Sequence, residues 1–336
     1  MKLETWKIKT KTGSDFFRLK NILALLVLVL LVGGSFFLGR AANDYIYWKN
    51  TQDVYTAAVN PADYSFLKPY RNWKVGHLED ISAAAAVSMA VNGGDSYIVF
   101  EKNASSQVLV ASLTKLLTAY VALKNYEFDQ TIVITQKIVN TEEVKGGFRV
   151  GEEITVENLL YSMLIESSND AAMALAEIMG EKKFVGLMNA EAIGIGLEQS
   201  HFVDPIGFDP DITYQRYNYS TAKDLALLSR HILKEAKGDP KVSKLFEITK
   251  TQKQDIFLAN GNFHHQALST NLLLDEFPNL IGAKTGQTPM AGQCFLLITP
   301  QPRQAKGYLV NVILDSNNRF EEMEKLINWT DKAFVW

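Results

Sequence analysis

Three short polar groups carry the chemistry that this 336-residue chain could perform, and the first is Ser112-Leu113-Thr114-Lys115, at the head of LTKLLTAYVAL. On a helix, residues three apart share a face, so the Ser112 hydroxyl and the Lys115 amine can meet one turn apart. Leu113, Leu116, Leu117, Tyr120, Val121 and Leu123 surround this helix with apolar groups, as expected of a buried central helix. A lysine placed there is desolvated, its pKa falls, and it can take a proton from serine. Spacing alone is a weak signal, because a chain of this length holds roughly one S-x-x-K by chance. A second copy, Ser220-Thr221-Ala222-Lys223, opens an amphipathic helix. Ser220 is expected to cap that helix, with Lys223-Asp224 as a solvated face.

The second group is Ser167-Ser168-Asn169, between a helix ending near Ile165 and the helix AAMALAE. Hydroxyl and amide side chains can line a cleft there, although Ser and Asn are also ordinary helix caps and S-x-N recurs at Ser269 and Ser316. The third is Lys284-Thr285-Gly286, followed by Gln287, just before an apolar strand at Gln293. A lysine and a hydroxyl at a strand edge, with a glycine that lets a ligand backbone approach, make a ledge for a carboxylate. Its second copy, Lys11-Thr12-Gly13, lies in the basic N-terminal tail. Only Ser112, Ser167 and Lys284 place S-x-x-K, S-x-N and K-T-G in that order within one domain.

The elements that must position these groups are mixed. Ala83–Val91 and Ser96–Phe100 read as strands around the turn Asn92-Gly93-Gly94-Asp95. Glu157–Ile165, Ala171–Met179, Ala222–Leu233 and Arg319–Phe334 read as helices, while Gln293–Thr299 and Gly307–Leu314 are apolar runs of strand length. Strands at both ends with helices between predict an α+β fold in which one sheet is assembled from distant pieces.

Composition narrows the classes. Hydrophobic residues make up 47% and charged residues 21%, which excludes a disordered chain. A formal net charge of -3 gives no electrostatic case for nucleic acid. The single cysteine, Cys294, excludes an intrachain disulfide and is assigned to packing in its apolar strand.

Charge is uneven at the N-terminus. Residues 1–20 carry six Lys and Arg against two acidic residues, and Ile22–Leu38 then runs without a charge. At ~1.5 Å per residue this run reaches ~26 Å, enough for a short membrane span with help from flanking residues. Positive charge should hold residues 1–20 in the cytoplasm, and Tyr45, Tyr47 and Trp48 suit the far interface. The long basic region favours an uncleaved anchor over a signal peptide. The expected organisation is a basic tail over 1–20, a transmembrane helix over 21–39, a spacer over 40–79 and a catalytic domain over 80–336.

The segments ASLTKLLTAYVAL, VGEEITVENLLYSMLIESSNDAAMALAE, NYSTAKDLALLSR and GAKTGQT resemble the serine-type D-Ala-D-Ala carboxypeptidases, the low-molecular-mass penicillin-binding proteins. The resemblance runs from about residue 80 to the C-terminus. It implies the penicillin-recognising, transpeptidase-like fold, a five-stranded antiparallel sheet beside a helical cluster. Ser112 would be the acylated nucleophile and Lys115 its base. Ser167 would relay a proton to the leaving amine, and Asn169 would hold the substrate backbone. Lys284, Thr285 and Gly286 would receive the terminal carboxylate, and the Ser112 and Gln287 N–H groups would form the oxyanion hole. The implied partners are a peptidoglycan stem peptide ending in D-Ala-D-Ala, β-lactam inhibitors and a membrane, with no cofactor. Ser168 stands where relatives commonly have glycine. The second, all-β domain of many relatives is expected to be missing.

Other readings were open at this level. A DD-endopeptidase would use the same residues on crosslinked peptides. A class A β-lactamase would need a carboxylate in an E-x-x-L-N loop; none follows Ser167, and Glu166 is expected to be solvated at a helix end. A wall-binding module with a decayed site is opposed by the presence of every motif side chain. A zinc peptidase would have only His264-His265 to offer, and neighbours on a strand should point apart.

Overall fold

This computed structural model describes residues 68–141, 146–209, 217–302 and 307–336. The chain enters the fold at Tyr70–Arg71 (β1), which pairs with Phe334–Val335 at the C-terminus. Two residues are too few to show a period, so this strand is invisible in the stretch read as spacer. The described residues fall in one compact unit spanning 65–336. The basic tail, the apolar run Ile22–Leu38 and Lys11-Thr12-Gly13 lie outside the described residues. Among the described residues, no helix is long and apolar enough to cross a membrane.

Next come strands Ala85–Asn92 (β2) and Asp95–Lys102 (β3), then a 3-10 turn, Ala111–Thr114, leading directly into helix Lys115–Asn125 (α1). A smaller pair, Thr131–Val133 (β4) and Glu153–Thr155 (β5), brackets helix Gln136–Val139 (α2). Helices Val156–Ile165 (α3), Asn169–Glu177 (α4), Glu181–Ile195 (α5), Ala222–Glu235 (α6) and Pro240–Thr249 (α7) follow. The hairpin Lys253–Phe257 (β6) and Phe263–Leu268 (β7) precedes strands Gly282–Thr288 (β8), Gly292–Pro300 (β9) and Tyr308–Ser316 (β10). Helix Arg319–Ala333 (α8) and strand Phe334–Val335 (β11) close the chain.

The main sheet has the order β3-β2-β10-β9-β8 and is antiparallel throughout. An N-terminal hairpin thus completes a sheet begun by three C-terminal strands, as the scattered strand signals required. Side chains alternate between two cores along each central strand. Cys294, Leu296 and Ile298 face the helical cluster, while Phe295 and Leu297 pack with Met323 and Leu326 of α8. Cys294 is buried, and burial pushes its thiol up to about 12, which leaves it an inert packing residue.

At the centre of the cluster, α1 is buried over every residue from Lys115 to Leu123. An all-round apolar helix of this kind can only sit inside the fold. Sequence periodicity missed α5 because its buried positions Phe184, Met188 and Ala192 form a single narrow stripe, and Gly186 and Gly194 weaken the helical signal around it. It also missed α7, although Asp239 caps that helix and Pro240 opens it.

Candidate active site

Four described non-glycine residues adopt positive φ, and two of them flank the candidate chemistry: Ala111 at 46° and Ser167 at 66°. Such backbone costs about 1–3 kcal/mol per residue and persists only where its surroundings over-determine it. For Ala111 the surroundings are a buried turn, 203–207. Gly207 lies so close that a Cβ there would overlap the Ala111 carbonyl oxygen. Asn218 Nδ2 donates to Thr114 Oγ1 (3.3 Å) and to Asp204 O (3.0 Å), and Thr118 Oγ1 donates to Pro205 O (2.7 Å). Asp204 Oδ1 accepts the N–H groups of Ile206 and Gly207, both at 2.7 Å. Burial holds the Asp204 carboxyl above its ordinary range, opposed chiefly by those N–H groups. The turn that carries Ser112 is therefore clamped from behind.

Lys115 projects from the first position of α1 and is fully buried. Its Nζ lies 2.7 Å from Ser112 Oγ and 2.7 Å from Asn169 Oδ1. Asn169 opens α4, and Ser168 caps it by accepting the Ala171 N–H at 3.2 Å. The middle serine of the second motif is thus a helix cap. A close neighbour, Gly146, would bring an added Cβ to 2.6 Å from its Oγ.

On the opposite wall, β8 is the free edge of the sheet and presents the third motif. Lys284 Nζ donates to Ser167 Oγ (2.8 Å) and to Thr285 O (2.8 Å). Gly286 permits the closest approach, since a Cβ there would sit 2.9 Å from Ser112 N and 3.1 Å from Ala111 Cβ. Any side chain at this position would push the strand off the turn that carries Ser112. Between the walls is a cleft of about 100 Å³, lined by Ser112, Ser167, Asn169, Thr285, Gly286 and Gln287, together with Thr270 and Arg319.

Sequence reasoning missed Thr270 and Arg319. Thr270 Oγ1 lies 2.5 Å from Thr285 Oγ1; it is the middle residue of the Ser269-Thr270-Asn271 copy of S-x-N, which has no motif of its own. Arg319 opens α8 and donates from Nη1 to Gly286 O at 2.8 Å. Its Nε is buried without a partner among the described residues. Neither position carries a local signal. They reach the cleft only through sheet closure.

Comparison with known proteins follows the same outline. A family profile described as D-alanyl-D-alanine carboxypeptidase matches residues 73–318. The chain belongs to this family. It is 25% identical over 263 residues to D-alanyl-D-alanine carboxypeptidase DacF of Bacillus subtilis, covering 76% of this chain and 63% of that protein's length. It is 28% identical over 264 residues to a D-alanyl-D-alanine endopeptidase of Pseudomonas aeruginosa, covering 76% of this chain and 80% of the relative. The crystal structure of a Streptomyces DD-transpeptidase matches with a TM-score of 0.63 and 26% identity, over 75% of this chain and 99% of that one. The penicillin-binding, transpeptidase-like α+β fold is thereby shown for the described domain.

Several local expectations are corrected. Ser220 does not cap α6: Thr221 does, accepting the Asp224 N–H at 2.9 Å, while Ser220 Oγ lies 2.7 Å from Ser200 Oγ. Asp224 is buried rather than solvated and accepts the Gln199 N–H and the Ser200 hydroxyl. The chain arrives at α6 as a bridge partner of Val108, which shifts the cap by one residue. Glu166 is not a free helix-end carboxylate either. Its Oε1 accepts the Ser162 hydroxyl at 2.6 Å and lies 2.8 Å from His265 Nε2. His264 and His265 do not point apart, for a reason that lies in the β6–β7 hairpin.

Proposed function

We propose that this chain is a membrane-anchored serine D-Ala-D-Ala carboxypeptidase that trims the terminal D-Ala from peptidoglycan stem peptides through an ester on Ser112, and that β-lactams trap that ester. The observation that carries the reading is the position of Lys115 Nζ, 2.7 Å from both Ser112 Oγ and Asn169 Oδ1, facing a wall where Lys284 holds Ser167. Neutral Lys115 takes the Ser112 proton as Oγ bonds to the carbonyl carbon of the penultimate D-Ala. The C–N bond breaks, and the proton passes through Ser167 to the departing amine of the terminal D-Ala. Water then adds to the ester and gives a proton to Lys115. Ser112 Oγ leaves and recovers that proton. The N–H groups of Ser112 and Gln287 face the developing oxyanion, where preorganised donors contribute most.

A β-lactamase reading loses its candidate base, because Glu166 is engaged by Ser162 and His265. The endopeptidase reading keeps the same chemistry and is favoured by one relative's printed activity. A D-Ala-D-Ala pentapeptide and crosslinked muropeptides, incubated with the ectodomain and resolved by mass, separate the two. Free D-alanine from the first without cleavage of the second is the expected result; release of crosslinks alone would replace carboxypeptidase with endopeptidase.

The anchor rests on the charge-free run Ile22–Leu38 behind a basic tail. Protease added to spheroplasts is expected to digest the catalytic domain and spare residues 1–20. A domain that is cut only after lysis would reverse this topology and remove peptidoglycan as a substrate.

A further inference from the structure

The two histidines that the zinc reading considered meet one another and the second motif. Strand alternation would send His264 and His265 to opposite faces. The ladder shifts here, because Ile256 pairs with His265 but Phe257 pairs with Phe263, leaving His264 as the extra residue of a bulge. The two Nδ1 atoms consequently lie 2.6 Å apart, with ring centroids at 4.8 Å. Each outer nitrogen meets a carboxylate: His264 Nε2 is 3.2 Å from Glu152 Oε2, and His265 Nε2 is 2.8 Å from Glu166 Oε1. Phe148 stacks on His264 at 4.9 Å.

A proton count follows from this geometry. An ionised carboxylate only accepts, so both Nε2 atoms carry hydrogen. A 2.6 Å contact between two ring nitrogens needs one more hydrogen between them. Three protons on two rings make one imidazole and one imidazolium. Burial opposes charge on His264, and the carboxylate contact of His265 is the shorter of the two, 2.8 Å against 3.2 Å.

Glu166 immediately precedes Ser167, whose left-handed backbone needs external support. Part of that support is Ser168 N donating to Ser162 O (3.2 Å) and Thr270 N donating to Ile165 O (3.2 Å). Lys284 holds the Ser167 side chain, and the His265–Glu166 contact adds a further hold, from the same strand that leads into Thr270 and the cleft. We propose that His265 is a positioning residue for Ser167, acting through Glu166, and that the proton it shares with His264 makes this hold sensitive to pH.

The groups on the packed elements act on the pair with opposite signs. Glu152 favours and Arg149 opposes charge on His264 from the turn before β5, Glu166 meets His265 from the end of α3, and Asp170 lies near Glu166 at the start of α4. As pH rises the shared proton leaves, two lone pairs confront each other, and one ring must turn away from its carboxylate. Burial, with the Glu166 charge added, pushes the Asp170 carboxyl up to about 6. Above that value ionised Asp170 repels Glu166, so both events loosen the turn on the alkaline side.

The positioning claim rests on the serine-peptidase reading; the shared proton does not, and the test keeps them apart. Nitrogen-15 NMR of histidine-labelled protein, assigned with His264→Gln and His265→Gln, should show one doubly protonated ring and one Nε2–H imidazole near about pH 6. Two neutral rings there would overturn the shared proton. In the second arm, His265→Gln should lower the rate constant of β-lactam acylation about tenfold near that pH, with binding before acylation unchanged, as a small displacement of Ser167 requires. It should also remove the histidine step from the alkaline-side inflection of the wild type, leaving only the Asp170 step at about pH 6. An unchanged rate and pH profile in a variant with the wild-type melting temperature would overturn the positioning role. Should His265→Gln fail to fold, Glu166→Gln retains an acceptor for Ser162 and His265 but removes the charge. It should move the inflection to lower pH, and an unmoved inflection would count against the proposal. Wild-type protein that no β-lactam acylates would remove the serine-peptidase reading and the positioning claim with it, while the ring protonation is still decided by NMR.

Discussion

Ser112→Ala abolishes covalent labelling by a β-lactam and lowers D-alanine release from a D-Ala-D-Ala peptide by roughly 10⁴-fold or more, the loss expected when a covalent nucleophile is removed. Ser220→Ala leaves the label and the rate in place. The contrast is physical, because both serines begin an S-x-x-K. Ser112 shares a hydrogen bond with a fully buried lysine and opens onto a cleft. Ser220 is buried against Ser200, and Lys223 points its side chain to solvent. Peptide mapping of the labelled protein decides the matter, and a label on Ser220 would sink the assignment.

That contrast also explains how much of the site was legible in the sequence. Leucines at Leu113, Leu116 and Leu117 told that the Lys115 helix is interior, whereas the helix after Ser220 alternates apolar and charged faces. Motif order brought Ser112, Ser167 and Lys284 together across separations of many residues. Strand-length runs at both ends pointed to one sheet assembled from distant pieces. Local pattern suffices for these features because burial is written into composition at helical or strand period.

The rest depends on contacts that local pattern does not encode. Arg319 reaches the cleft because α8 begins beside the edge strand, and Thr270 because the segment after β7 crosses to Thr285. The Glu166 environment was misread for a related reason. A helix-end glutamate is solvated by default, and only a bulge one hairpin away delivers His265 to it. Bulges leave no reliable residue signature, so strand alternation predicted the opposite placement. At α6 the error was smaller: a serine and a threonine both suit an N-cap, and the bridge between Val108 and Ser220 selects the threonine.

The two site lysines should separate cleanly, because their roles demand opposite charge states. Lys115 must be neutral to accept the Ser112 proton, so Lys115→Ala should slow acylation by peptide and β-lactam alike, by roughly 10²–10⁴-fold, the usual contribution of a general base. Lys284 must stay protonated, and its ammonium holds Ser167 Oγ as well as Thr285 O. Its removal therefore has two components. Loosening Ser167 costs acid and amide substrates equally, whereas loss of positive charge beside Thr285 costs only the ligand with a free carboxylate. A C-terminally amidated peptide isolates the second component, in a double cycle of mutation against amidation read as kcat/KM. Lys284→Ala should lose more on the acid than on the amide. Arg319→Ala serves as the comparison, because its guanidinium lines the cleft with a buried donor unused. If the whole acid-versus-amide difference disappears in Arg319→Ala and none of it in Lys284→Ala, the arginine reads the carboxylate and Lys284 serves only to hold Ser167. Full acylation by Lys115→Ala at neutral pH would overturn the base.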